Sequence, residues 1–194
     1  MENLEQLITE LGLQNKITLS EIPDIDLYMD QVTQLFEKKY NTSKRHEEDK
    51  VLTKTMINNY AKGKLLFPIK NKKYSKEHII LISLIYQLKG ALSINDTKMV
   101  LEPLNSKVEK EEVDLETLYT SLLSLHDKSV STFEENMESI SADIETEMDK
   151  LDDTESGYLE KILFISSLVN TSNMYRRLSE KLVDEMKPKE KVEK

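Results

Sequence analysis

The chain has 194 residues, 38% hydrophobic and 32% charged, with 36 acidic and 27 basic residues and a formal net charge of -9. That length fits one medium domain, or a small domain with an extension, and the charge suits exposed amphipathic helices better than one large core. Four glycines and four prolines are too few turn residues for an all-β fold, and the absence of cysteine excludes disulfides and thiolate metal sites.

Acids in the first sixteen residues, with no long apolar run, argue against a signal peptide. The most apolar stretch, Ile79 to Leu88, is too short to span a bilayer. A cytoplasmic protein with no membrane contact is expected.

In chain order, residues 1–16 read as a helical leader: Leu4, Leu7, Ile8 and Leu11 recur at helical spacing and Gly12 stops them. Ser20 to Asp24 is a break. Asp24 to Tyr40 reads as one amphipathic helix through Tyr28, Val32 and Phe36, and Asn41 to Asp49 as a polar loop. Thr53 caps a short helix to about Lys62, ended by Gly63. Pro68 to Lys73 is too polar to bury and predicts a small hairpin or wing. Ser75 caps a helix through Leu88, and Ser93 caps another ending about Leu101, before Pro103.

From Glu111 to Glu160 there are sixteen acids against Lys128 and Lys150. Yet Leu115, Leu118, Leu122, Leu125, Phe133, Met137, Ile140, Ile144, Met148 and Leu151 keep helical time. After a turn at Asp152 to Gly157, Tyr158, Ile162, Ile165, Val169, Tyr175, Leu178 and Leu182 form a second stripe. Residues 106–186 therefore predict an acidic helical hairpin whose two stripes face each other, with outer flanks such as Leu163, Leu168 and Val183 left over for further packing, either against residues 79–101 or across the two-fold axis of a dimer. The tail, 187–194, is expected to be disordered.

Between Lys50 and Lys76 stand eight lysines and no acid, while the other 19 basic residues share the chain with all 36 acids. A confined positive stretch in a negative chain attracts a polyanion. Burying Met56, Ile57 and Tyr60 leaves Lys54, Thr55, Asn58, Asn59 and Lys62 on the open face of their helix. Asparagine offers both donor and acceptor to a base edge, most naturally adenine. Lys54 and Lys62, with Lys70, Asn71, Lys72 and Lys73 on the wing, would contact phosphates, which position rather than specify. The plainer alternative is a solvated lysine-rich face. Tyr60 and Tyr74 read as core residues rather than stacking platforms.

The segment Tyr60-Ala-Lys-Gly-Lys-Leu-Leu-Phe-Pro68 resembles the recognition-helix exit of MerR-type regulators. Lys72-Lys73-Tyr74-Ser75-Lys76-Glu77-His78-Ile79 resembles their wing strand entering the next helix, and Leu84 to Leu101 their following helix pair. With Pro23 to Gln31 and Thr53 to Tyr60 added, residues 17–105 look like a domain-of-unknown-function family of Gram-positive Firmicutes that shares this winged helix. The resemblance implies an all-α fold, a MerR-like winged helix-turn-helix with a small β wing, followed by the long helical hairpin. It departs from MerR-type patterns at Asn58 and Asn59, usually arginine and tyrosine, and in the dozen polar residues before Thr53.

Catalysis finds no motif. His46, His78 and His126 share no metal-ligand spacing, and there is no glycine-rich phosphate loop. Asp149, Asp152, Asp153 and Glu155 lack the spacing of a calcium loop. No cofactor or metal is expected. The sequence reads as a non-enzymatic, homodimeric regulator binding double-stranded DNA. The rival is an adaptor with a degenerate winged helix, docking a protein partner on its acidic helices.

Overall fold

The computed structural model describes residues 4–151 and 156–187. Helices dominate. In order they are α1 (Leu4–Glu10), α2 (Met29–Tyr40), α3 (Lys54–Lys62), α4 (Lys76–Leu88), α5 (Ile94–Glu109), α6 (Leu115–Met148) and α7 (Ser156–Glu185). Two short strands, β1 (Leu27–Tyr28) and β2 (Lys73–Tyr74), pair antiparallel, Leu27 opposite Tyr74 and Tyr28 opposite Lys73. No helix among the described residues is long and apolar enough to cross a membrane.

The main core surrounds α4. Ile79, Ile80, Leu81, Ile82, Leu84 and Ile85 are all buried, so this helix is covered on every side. Its one interior hydroxyl, Ser83, donates to the Ile79 carbonyl at 3.0 Å, which removes the cost of burying it. Val32 and Phe36 of α2, Ile57 and Tyr60 of α3 and Leu101 of α5 pack around it, with Leu115 and Tyr119 of α6. Phe36, Tyr40 and Tyr86 form an aromatic cluster with Tyr40 and Tyr86 centroids 4.5 Å apart. The core continues past residue 105 and ends at about Leu123, two turns into α6.

A second, smaller core lies along the hairpin. Met137 and Ile144 of α6 meet Phe164 of α7, and Leu4 and Ile8 place α1 on the same cluster. The leader is therefore docked. Residues beyond Gly12, whose φ of +60° turns the chain, follow α6. There Tyr119 donates to the Ile17 carbonyl at 2.7 Å, His126 Nε2 meets the Leu13 carbonyl at 2.9 Å, and Lys16 pairs with Asp127.

Four expectations need correction. The second helix starts at Met29, not Asp24: the Tyr28 amide donates to Gln31 Oε1 at 2.8 Å, and the preceding two residues are strand. Next, α5 runs through Pro103 to Glu109. A proline there loses one helical hydrogen bond, but Leu101, Leu104 and Val108 continue to pack on the core, and Asn105 donates to the Leu65 carbonyl at 2.9 Å. Gly157, expected in the turn, is already helical in α7, and residues 152–155 of that turn lie outside the described residues. Lastly, the faces of α7 are exchanged. Tyr158, Ile162, Ile165, Val169, Tyr175, Leu178 and Leu182 are exposed, while Phe164 and Val183 are buried and Leu163 and Leu168 half-buried. Apolar residues lie on several sides of this helix, and periodicity alone does not choose among them. The expected tail falls outside the described residues from 188 onward.

Candidate nucleic-acid interface

Local chemistry sets α3. Thr53 Oγ1 accepts from the Met56 amide at 3.1 Å, capping the helix start. Ile57 and Tyr60 point inward, and burial raises the Tyr60 phenol pKa above its ordinary value. The exit is a Schellman turn: Lys64 stands at φ +60° and the Leu65 amide returns to the Tyr60 carbonyl at 2.9 Å. Gly63 has an ordinary φ of -73° but needs its size, because a Cβ there would lie 2.8 Å from Leu65 Cδ1 and 3.1 Å from the Asn59 carbonyl. The left-handed residue is thus a lysine.

The wing is a two-residue turn. Asn71 and Lys72 have φ of +52° and +57°, and the Lys73 amide donates to the Lys70 carbonyl at 3.0 Å. Positive φ at both central positions is the type I′ geometry that matches strand twist. At its base, His78 is buried against Phe67, their ring centroids 3.8 Å apart. The Ser75 amide donates to His78 Nδ1 at 3.1 Å, so the ring proton belongs on Nε2, which faces the Phe67 carbonyl at 3.3 Å. Burial holds the imidazole pKa below its ordinary value.

Lys54, Thr55, Asn58, Asn59 and Lys62 are all exposed on α3, and Lys70, Asn71 and Lys72 on the wing. Lys73 is half-buried, with its ammonium 5.3 Å from the centre of the Tyr28 ring. Asn58 and Asn59 make no side-chain hydrogen bond among the described residues, so both amides are free for a ligand. The start of α3 and the wing base lie close together: Lys54 pairs with Asp30, and Tyr28, two residues earlier, sits opposite Lys73.

Of the eight lysines, Lys54 is neutralised by Asp30, and Lys76 by Glu116 at 2.9 Å and Asp24 at 3.7 Å. Lys50, Lys62, Lys64, Lys70, Lys72 and Lys73 meet no carboxylate among the described residues. Tyr28, 55% exposed beneath Lys73, and Asp30 belong to this surface, whereas the sequence pattern puts Tyr28 on the apolar stripe of a helix and gives Asp30 no role in the interface. Both pairings cross more than twenty residues of chain, and no local signal announces them.

The long loop before α3 is anchored rather than loose. Asn15 Nδ2 donates to Thr42 Oγ1 at 3.0 Å and Ser43 Oγ at 2.8 Å, Lys44 pairs with Glu37, and Val51 and Leu52 enter the core. The Lys89 ammonium, with its pKa lowered by burial, donates to the Val51 carbonyl at 3.3 Å. Among the described residues, no group of three or more His, Asp or Glu side chains is placed to hold a metal.

Residues 17–122 match the family described as a domain of unknown function, DUF1836. The chain belongs to that family. The matched segment ends at Leu122, where the main core also ends, so the family segment and the α4-centred unit coincide. No curated protein and no solved structure matches the chain.

Proposed function

We propose that this DUF1836 chain is a non-enzymatic, cytoplasmic, homodimeric DNA-binding regulator with a MerR-like winged helix. The observation that carries the reading is the set of six lysines with no carboxylate partner among the described residues, on and around α3 and the wing. A chain with 36 acids has ample means to neutralise lysines, yet leaves these six for an outside polyanion. In this reading α3 enters the major groove, and Asn58 and Asn59 read base edges. Lys62 lies beside phosphate, and Lys70, Asn71, Lys72 and Lys73 hold the adjacent backbone. Lys54 exchanges Asp30 for phosphate.

The dimer in this proposal uses the outer side of α7. Tyr158, Ile162, Ile165 and Val169 share one side within about 60° of arc at 100° per residue, and their exposures run from 40% to 71%. At about 100 Å² each these four supply about half of the ~800 Å² that one partner of an ordinary interface buries, so the interface must extend to neighbouring residues. Met174, Tyr175, Leu178 and Leu182 are also exposed but lie on other sides of the helix. From Ile162 to Tyr175 there is no charge on the helix, so a second copy meets no repulsion there. The same surface also favours the adaptor reading, with a foreign helix in place of the second copy.

Selection of sites from a random duplex pool tests the regulator. Full-length chain should enrich a two-fold-related sequence. On the selected site, Asn58→Ala should cost about 1–3 kcal/mol of specific binding while sparing random DNA. Lys72→Ala with Lys73→Ala should weaken both alike. Failure to enrich any sequence, together with co-purification of a stoichiometric protein partner, would support the adaptor instead.

A further inference from the structure

We infer that the groove between α6 and α7 binds a small amphipathic anion, an acyl chain carrying a single carboxylate. The cavity has a volume of about 850 Å³, is partly open to solvent, and is lined at one end by Gly90 and Ala91 of the α4–α5 turn. That size lies within the range of small-molecule sites.

The gap has a physical origin. The main core ends at about Leu123 on α6, and the hairpin core begins at Phe133. Between them several lining positions are small and polar, such as Ser129 and Thr132 of α6 and Ser172 of α7, beside Leu125 and Tyr175, and the small side chains do not fill the space between two helices. The far end is apolar, lined by Met137, Ile140 and Leu168.

Two cations mark the near end. Lys128 and Arg176 both line the groove, and the antiparallel run of the hairpin sets them level with each other. Of the two lysines between Glu111 and Glu160, Lys150 pairs with Glu147 at 2.6 Å, while Lys128 has no ion-pair partner among the described residues. Arg176 reaches Glu180 only at 3.9 Å and donates to Asn173 Oδ1 at 3.2 Å. Two cations lining one groove attract an anion bound there. The sixteen acids between Glu111 and Glu160 disfavour a polyanion, so one negative charge with an apolar body is the fitting chemistry. From Lys128 to Ile140 the groove runs about 18 Å at 1.5 Å per residue, long enough for an extended medium-length acyl chain.

The test is calorimetric titration of full-length protein with dodecanoate, dodecan-1-ol and dodecylamine below micelle formation. Dodecanoate should bind at least tenfold more tightly than either of the others. Lys128→Gln with Arg176→Gln should erase that preference while leaving the alcohol unchanged. Thr132→Trp should abolish binding of all three by filling the groove, with Ser139→Phe as the second filling variant if the first does not fold. Equal affinity for the three probes would overturn the proposal. So would full binding in a folded filling variant, or binding lost only in Ile165→Glu on the outer side of α7. If a filling variant disrupts self-association of the unliganded protein, the groove is occupied by a second copy and the proposal also fails. The site lies outside the lysine window, so its fate and that of the DNA-binding reading are separable.

Discussion

The helices α4 and α7 are both rich in large apolar residues, and they use them in opposite ways. In α4, six of these residues are buried and the helix is enclosed by its neighbours. In α7, eight stand in solvent. Apolar content therefore does not set burial; the number of neighbouring elements does. The α4-centred unit has α2, α3, α5 and the start of α6 to cover it, whereas α7 has α6 along one side and a contact with α5, with α1 sharing the hairpin core. The first unit is closed, and the second leaves large apolar side chains exposed.

Substitutions on the two sides should break this comparison most sharply. Phe36→Ala removes a fully buried ring from the aromatic cluster and should cost about 3–5 kcal/mol in denaturant unfolding. Ile165→Ala, on a side chain 61% exposed, should change the stability of the monomer by no more than about 0.5 kcal/mol. A large loss for both would show that α7 is covered within one chain.

Association is the next effect. Light scattering should give about twice 22.6 kDa for the unaltered chain and 22.6 kDa for Ile165→Asp. Circular dichroism of the variant should remain helical. A wild-type monomer near 100 μM, weak for an interface of ordinary size, would remove the second copy from this face.

A smaller effect distinguishes the units by pH. His78 is buried neutral and its folded pKa lies below 6.5, so its contribution is fully present above about pH 6.5. It is lost as pH falls from there through the folded value, because the unfolded chain takes up the proton first. Melting temperature should decline over that window, and His78→Gln should flatten the decline. An unchanged slope in the variant would assign the acid sensitivity elsewhere.

The smallest effect concerns Lys64. Its φ of +60° is strained for a residue with a side chain, and Lys64→Gly should stabilise the unit by about 0.5–1 kcal/mol. Loss of DNA affinity in the same variant would show that this lysine also contacts phosphate.

What the sequence revealed follows from how local each signal is. Thr53 and Ser93 were read as caps, and each accepts the expected amide at 3.1 Å, because a cap involves neighbours three residues apart. The open face of α3 followed from Met56, Ile57 and Tyr60. Pairings across the chain were hidden: Tyr28 with Lys73, Lys54 with Asp30, and Asn105 with Leu65. The two-residue strands carry no periodicity of their own. Pro103 misled because packing of Leu104 and Val108 outweighs one lost hydrogen bond. For α7 the correct inward face lay among the apolar residues set aside as flanks.

The central claim is that the unpaired lysines hold DNA, and the salt dependence of duplex binding tests it most directly. Fluorescence anisotropy of full-length protein on a labelled duplex should give a slope of log affinity against log salt of about -4 to -7, corresponding to roughly five to eight neutralised phosphates. Lys72→Ala with Lys73→Ala should make that slope shallower by about 2. Absence of duplex binding at low salt, or a slope unaltered by the paired substitution, would contradict the account.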